Sequence, residues 1–261
     1  MKKNLIALAL MAGAIVPAQA ALTAGDIAII GRINNGTPDS FAVVALNNIA
    51  AGEVIYFTDN GWTGSGFRGA TAADGDGSEN LTRWTVTSAI SAGSIVNSTS
   101  AGFTTTGAIA GSTNGSYASL SLGQPGDQIY AFQNSVSSNP LFKTATQNHL
   151  YVFDDTGTFK NATDSNSGNV APGLSAGSTA VSLSLTSMTS AHVKTSLLNG
   201  PAQSKEQWLA TFANKANWEA GALPTGAIAI TAVPEPSSYA LMFAGLAAMG
   251  MLVRRRRSNN I

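Results

Sequence analysis

The chain has 261 residues, no cysteine, and an 11% share of charged residues beside 27 glycines. This composition is typical of an exported β-rich protein and differs from that of a charged cytosolic enzyme. Between Ala21 and Ala232 there are eight basic and 13 acidic residues, a net charge of −5, which argues against the basic face that nucleic-acid binding requires.

The first 20 residues have the three parts of a secretory signal peptide. Two lysines follow the first methionine, an apolar run of 12 residues comes next, and Ala18-Gln19-Ala20 has the small-residue pattern of a cleavage site. The apolar run is shorter than the roughly 20 residues that cross a bilayer. We therefore expect signal peptidase to cut after Ala20, leaving residues 21–232 as the body of the protein.

The body contains a series of short apolar and β-branched runs that are separated by turn residues. Runs of this kind, flanked by Gly, Asn, Asp or Pro, are typical of strands joined by turns. Because no helices alternate with them, they predict an all-β fold, an antiparallel β-sandwich. The predicted strands are DIAIIGR (26–32), SFAVVALN (40–47), EVIYFTD (53–59), TRWTVTS (82–88), SYASLSL (116–122), DQIYAFQ (127–133), HLYVFDD (149–155) and TAVSLSL (179–185).

The segment GSGFRG (64–69) matches the glycine pattern of dinucleotide-binding loops. That pattern works only when a helix follows it directly, because the phosphates bind at the helix N-terminus. The residues that follow, ATAADGDGSEN, have no helical periodicity. We therefore predict a flexible loop between strands and no nucleotide site.

The segment DGDGSE (74–79) is a candidate calcium site. Asp74, Asp76 and Glu79 bring three carboxylates into six residues, and the glycines allow the loop to curl around a hard cation. The segment departs from the EF-hand pattern, since Glu79 replaces its glycine and Thr85 stands where its bidentate glutamate belongs. A solvated acidic turn is the alternative. Spacing leaves open a wider carboxylate group that adds Asp59, Asp154 and Asp155.

Nothing in the sequence has the spacing of a catalytic nucleophile site. GLSAG (173–177) matches the nucleophile elbow, but Pro172 precedes it, a predicted strand follows it, and no carboxylate lies between Ser175 and His192. His149 and His192 are the two histidines of the chain, and they give neither zinc spacing nor a triad. We predict a protein that is not an enzyme, with no cofactor besides the candidate calcium ion.

A single short helix is predicted near the end of the body, in SKEQWLATFANKANW (204–218). Ser204 and Gln207 have the spacing of a capping box. Three apolar residues follow on one side at helical spacing, namely Trp208, Leu209 and Phe212.

Three stretches of the body resemble, in the expected order, the lamin-tail-like, Ig-type β domains of bacterial secreted proteins. They are residues 24–62, then LGQPGDQIYAFQ (122–133), then LATFANKANW (209–218). The resemblance implies an Ig-like antiparallel β-sandwich and an exported binding or structural module. Its motifs are core and turn residues, so they carry a fold and no functional site.

The last part of the chain predicts a transmembrane helix. No charge interrupts Pro236 to Val253, and 18 helical residues reach about 27 Å, close to the hydrocarbon thickness of about 30 Å. Four arginines follow, which the positive-inside preference holds in the cytoplasm. The body would then lie outside the cytoplasm. These arginines are Arg254, Arg255, Arg256 and Arg257.

The tetrad Val233-Pro234-Glu235-Pro236 stands directly before this helix. Together with the short apolar helix and the arginine cluster, it resembles the PEP-CTERM sorting signal of Gram-negative bacteria, here residues 233–261. The resemblance implies transient anchoring in the inner membrane and cutting near the tetrad by an exosortase. Its prolines keep the tetrad extended and outside the helix.

The sequence thus predicts an exported, exosortase-processed protein of the cell surface or the medium. Its β-sandwich is expected to bind exopolysaccharide, as in a biofilm, or neighbouring surface proteins. Signal peptidase, exosortase and the inner membrane are the expected partners, and nucleic acid is not. A secreted hydrolase with an unrecognised carboxylate site on the same scaffold is the alternative.

Overall fold

The structure is a computed structural model that describes residues 21–68, 79–109, 116–134, 147–163, 166 and 168–231. These residues fold into strands with a few short helices. The strands are β1 Ile27–Ile33, β2 Ser40–Ala45, β3 Val54–Thr58, β4 Leu81–Thr85, β5 Ile95–Asn97, β6 Phe103–Thr104, β7 Gln128–Asn134, β8 Gln147–Asp154, β9 Ala180–Ser182, β10 Ser190–Val193 and β11 Trp218–Glu219. The helices are α1 Thr195–Leu198, α2 Lys205–Phe212 and a 3₁₀ turn, Lys215–Asn217.

The strands form two sheets packed as a sandwich. Sheet 1 has the order β11-β10-β1-β2-β5, and sheet 2 has the order β6-β4-β3-β7-β8-β9. Buried residues of both sheets share one hydrophobic core, as expected where two sheets pack face to face. The all-β class predicted from the sequence is confirmed.

The central strands of sheet 2 are apolar on both faces. Ile55 and Phe57 of β3 belong to the core between the sheets, whereas Tyr56 belongs to a second buried cluster. Neighbouring residues of a strand point to opposite faces, so this second cluster covers the outer face of sheet 2. Loop residues such as Trp62 and Phe67 complete it. Burial on both sides explains why the sequence of β3 does not alternate between apolar and polar.

The GSGFRG segment begins as a tight turn. Thr63 N donates a hydrogen bond to Gly66 O at 2.8 Å, and Gly64 has φ of +101°. The turn brings the Trp62 and Phe67 rings edge to face, with centroids 5.2 Å apart. The segment is therefore a loop, as predicted, as far as Arg68, and the residues from 69 to 78 lie outside the described part of the chain.

The predicted strand SYASLSL is wrong, because its backbone runs irregularly beyond an isolated bridge at Ser116. Ser121 N donates to Asp59 Oδ2 at 2.7 Å, and Leu122 N donates to Asp39 Oδ2 at 2.8 Å. The carboxylates thus take the hydrogen bonds that a partner strand would have accepted.

The sandwich is not antiparallel throughout. The predicted strand TAVSLSL contributes the three residues of β9, which pair with β8 in parallel. A connection of 25 residues separates β8 from β9, long enough for the crossover that parallel strands need. The other pairs of named strands are antiparallel.

The predicted helix is present as α2. Ser204 Oγ accepts from Gln207 N, and Gln207 Oε1 accepts from Ser204 N at 2.8 Å, so the capping box is confirmed. The three apolar side chains predicted for one side of the helix are buried in the core between the sheets, namely Trp208, Leu209 and Phe212.

Candidate functional site: the two ends of the body and its buried carboxylates

Residues 226–231, which we name the C-terminal strap, form the last described segment of the chain. Ile95 N donates to Gly226 O at 3.0 Å, and Ile228 N donates to Gly93 O at 2.9 Å. Gly93 has φ of +94°, and a Cβ there would collide with Ile228 O. A glycine is therefore required where the strap lies against the start of β5.

The other side of the strap is held by the segment before α2. Thr231 N donates to Gln203 O at 2.8 Å, and Gln203 N donates to Ala229 O at 3.2 Å. Trp208 Nε1 also donates to Ala229 O, at 3.0 Å. Ile228 is 5% exposed, so the strap adds to the core. The fold consequently holds the chain as far as Thr231.

The first described residues are fixed at the same place. Leu22 is buried, and Asp26 Oδ2 accepts from Thr23 N at 2.6 Å. Lys205 Nζ forms an ion pair with Asp26 Oδ1 at 2.6 Å and donates to Ala24 O at 3.5 Å. Lys205 starts α2, two residues after the partner of the strap, so both ends of the body meet at the beginning of α2.

The predicted targeting residues lie outside the described residues. This holds for Ala18 and Ala20 of the signal peptide, for the tetrad 233–236 and for Arg254 to Arg257. Within the described ranges, we find no helix that combines the length and the hydropathy of a membrane span.

The predicted calcium ligands are described in part. Asp74 and Asp76 lie outside the described residues. Glu79 is buried to 4% side-chain exposure, and its Oε1 is 2.8 Å from Arg68 Nη2. Across the described ranges, no three His, Cys, Asp or Glu side chains are grouped as metal ligands would be. The calcium site stays a prediction.

Asp59 fastens a loop to sheet 2. Its Oδ1 accepts from Asn80 N and its Oδ2 from Ser121 N, both at 2.7 Å. It is 1% exposed, and burial raises its pKa to about 6, although these two N–H groups favour the ionised form. Both oxygens are thus occupied by backbone donors.

A second group of buried charges lies around Arg32 of β1. Arg32 forms an ion pair with Asp155 and donates to Met188 O at 2.6 Å. Asp155 Oδ1 accepts from Asp127 N at 2.6 Å, and Asp127 Oδ2 accepts from Gly123 N at 2.7 Å. Burial raises the pKa of Asp155, an effect that Arg32 opposes, and raises that of Asp127 to about 9. The small gap between these side chains has no volume for a water molecule.

Asp154 stabilises the turn after β8. Its Oδ1 accepts from Thr156 N at 2.7 Å, from Thr156 Oγ1 at 2.6 Å and from Ser182 Oγ at 3.1 Å. Its buried Oδ2 has no hydrogen-bond partner, and burial raises its pKa. The wider carboxylate group left open by the sequence therefore resolves into separate side chains that hold turns and loops.

His149 is buried among aromatic rings. Its ring centroid is 4.7 Å from that of Trp62, 6.0 Å from that of Phe67 and 6.0 Å from that of Phe132. Neither ring nitrogen has a hydrogen-bond partner. Burial lowers the pKa of His149 to about 4, so the imidazole is neutral at physiological pH.

The structure places His192 in β10 and the GLSAG segment in a turn. Nδ1 of His192 lies 2.8 Å from Val193 O in β10. Ser175 lies in a turn, where its N donates to Thr179 Oγ1 at 2.8 Å, and both Gly173 and Gly177 have positive φ. As predicted, the segment is a turn, because a nucleophile elbow would join a strand to a helix.

Comparison with known proteins gives one match, at the end of the chain. A family model described as the PEP-CTERM protein-sorting motif matches residues 232–257. No curated protein and no solved structure matches the chain. The match begins one residue after Thr231, which makes the last hydrogen bond among the described residues of the strap. The motif indicates an exported protein that is anchored transiently in a membrane until an exosortase processes it.

Proposed function

We propose that the body is a non-catalytic binding or structural module of the cell surface or extracellular matrix of a Gram-negative bacterium, where it associates with exopolysaccharide or surface proteins. The observation that carries the proposal is the junction at Thr231. The described core is hydrogen-bonded as far as Thr231 and the sorting motif begins at residue 232, so an exosortase can remove the motif without taking a residue from the described core.

Two further observations support the finer parts of this proposal. The two-sheet sandwich agrees with the lamin-tail-like, Ig-type domain that the sequence resembles. Leu22, two residues after the predicted signal-peptidase site, is already buried. The body therefore spans the interval between the two expected cuts.

The alternative is a hydrolase that uses buried carboxylates. The pKa of Asp59, about 6, would suit a general acid or base. Its two oxygens, however, both accept from backbone N–H groups, and the gap beside Asp127 and Asp155 has no room for water. A general base must lie within hydrogen-bond reach of its substrate, so these contacts favour the non-catalytic module.

The proposed processing is tested by the intact mass of the exported protein from a host that carries an exosortase. We expect a chain that starts at Ala21 and lacks about the last 25 residues. An otherwise identical host without the exosortase should retain the full C-terminal segment. Recovery of the arginine cluster, Arg254 to Arg257, from the first host would make the segment a permanent anchor.

The proposed binding role is tested on the same exported protein. It is incubated with exopolysaccharide from its host and, in parallel, with glycosyl and phosphoester substrates. We expect stable binding without turnover. Turnover without stable binding would favour the hydrolase and overturn the proposal.

A further inference from the structure

A cleft opens between the two sheets beside the turn that joins β5 to β6. It has a volume of about 130 Å³, enough for about four water molecules and below the roughly 300 Å³ of the smallest drug-sized sites. Phe41 and Phe103 supply its apolar lining. Phe103 stacks on Trp84, with centroids 5.2 Å apart and 4° between the ring planes, so this wall is held in position.

Four hydroxyl groups without protein partners surround this apolar lining. They differ from Ser98, whose Oγ accepts from Phe41 N at 3.0 Å. Among the described residues, none donates to or accepts from their side-chain hydroxyls. A hydroxyl can both donate and accept, so these groups are available to a ligand that does the same. They belong to Thr99, Ser100, Thr105 and Ser119.

Asp39 is the one charged side chain among the described residues that line the cleft. Its Oδ1 accepts from Gly36 N at 3.0 Å and its Oδ2 from Leu122 N at 2.8 Å, so the carboxylate is fixed. A fixed negative charge with no cation in the lining disfavours acidic ligands.

We propose that this hydroxyl-lined cleft binds one neutral pyranose ring of a polysaccharide. The C–H groups of a sugar ring suit the phenylalanine wall, and its hydroxyls suit the four unpaired side chains. The volume admits a ring-sized part of a ligand, while the rest of the polymer continues outside. The proposal rests on the proposed function and adds the site and the class of sugar.

The cleft is tested by NMR titration of the exported protein, labelled with ¹⁵N and purified from its host. Glucose, galactose, mannose and N-acetylglucosamine serve as neutral probes, and glucuronate is the anionic probe, each to tens of millimolar. We expect at least one neutral sugar to shift the amide signals of residues 98–105 and 119–120 to saturation, and glucuronate to shift none.

Two variants make the test specific. The double variant Thr99→Val, Ser100→Ala removes two exposed hydroxyls of the cleft, and it should weaken sugar binding about fivefold for each hydroxyl lost. Thr87→Val removes an exposed hydroxyl outside the cleft and should change nothing. A titration without shifts at the cleft, equal binding by the double variant, or equal binding of glucuronate would each overturn the proposal.

Binding of the host exopolysaccharide separates this proposal from the proposed function. If the double variant binds the polymer as tightly as the wild type, the cleft proposal fails and the binding role stands. If the wild type binds no polymer although sugars saturate the cleft, the exopolysaccharide role fails and the cleft stands.

Discussion

Replacing His149 with phenylalanine should abolish a loss of stability that the wild type suffers in weak acid. The imidazole is enclosed by aromatic rings and has no partner for either nitrogen. Burial lowers its pKa from 6.5 to about 4. The unfolded chain therefore takes up a proton at a higher pH than the folded protein does, and stability falls as the pH drops from about 6.5 towards about 4.

The magnitude follows from the two pKa values of His149. The difference between 6.5 and about 4 corresponds to about 3 kcal/mol once the pH is below both values. Between pH 7 and pH 5 the wild type should lose about 2 kcal/mol through this group. Phenylalanine has no charge to acquire and suits the aromatic surroundings, so the variant should not share this loss.

The assay is urea unfolding of the exported wild type and variant at pH 7, 6 and 5. Asp59 and Asp127 have raised pKa values and act in the opposite direction, since protonation of these carboxyls favours the folded state. Both proteins keep them, so the difference between the proteins isolates His149. His149→Leu repeats the test without a larger ring. A difference that stays constant across the three pH values would refute the reasoning.

Three further outcomes are expected. Gly93→Ala should lower the free energy of unfolding by about 3 kcal/mol, and Gly52→Ala should lower it by about 1 to 2 kcal/mol. Both glycines have positive φ, but only a Cβ at Gly93 meets Ile228 O. Equal losses of the two variants in urea unfolding would contradict this. Asp59→Asn should lower the free energy of unfolding by about 1 to 3 kcal/mol, since one backbone N–H loses its acceptor. An unchanged free energy of unfolding would contradict this prediction. If the candidate calcium site binds the ion, millimolar calcium should raise the melting temperature by about 5 to 10 °C, and the variant Asp76→Ala should not show this increase. Equal melting temperatures in calcium and in chelator would contradict the site.

The strands with apolar runs could be predicted from the sequence, and four of the shorter strands could not. β1, β3, β7 and β8 overlap predicted runs, because burial on both faces leaves four apolar residues in succession in each of them. β5, β6, β10 and β11 have two to four residues of mixed polarity. Their strand conformation depends on pairing with a neighbour distant in sequence, which no local pattern contains.

For the same reason, the contacts of the carboxylates could not be predicted from the sequence. SYASLSL alternates between apolar and polar residues as a strand would, but Asp59, 62 residues away, accepts from Ser121 N. Spacing left open whether Asp59, Asp154 and Asp155 share a cation, whereas each holds a different turn or loop. The strap could have been predicted from the alternating run AIAI at residues 227–230, which precedes the sorting motif that begins at residue 232.

The register of sheet 1 separates the tethered end of the body from the hydroxyl-lined cleft. At one end, Ile27 pairs with Ala45, and Ala45 N donates to Ser94 O beside the strap. At the other end, Ile33 pairs with Ser40, the neighbour of Phe41 in the cleft. Phe41 and Ala45 are four residues apart in β2, about 13 Å along the strand.

If the cleft binds a sugar as proposed, capture of the sugar and cutting near the tetrad would involve different parts of the chain. If the predicted membrane helix begins at Pro236, the chain from Thr231 to that residue can extend at most about 17 Å, which would hold the corner of the body where α2 begins close to the lipid. A precursor waiting for its exosortase could then already carry polysaccharide in the proposed cleft, and the cut would release protein and polymer together.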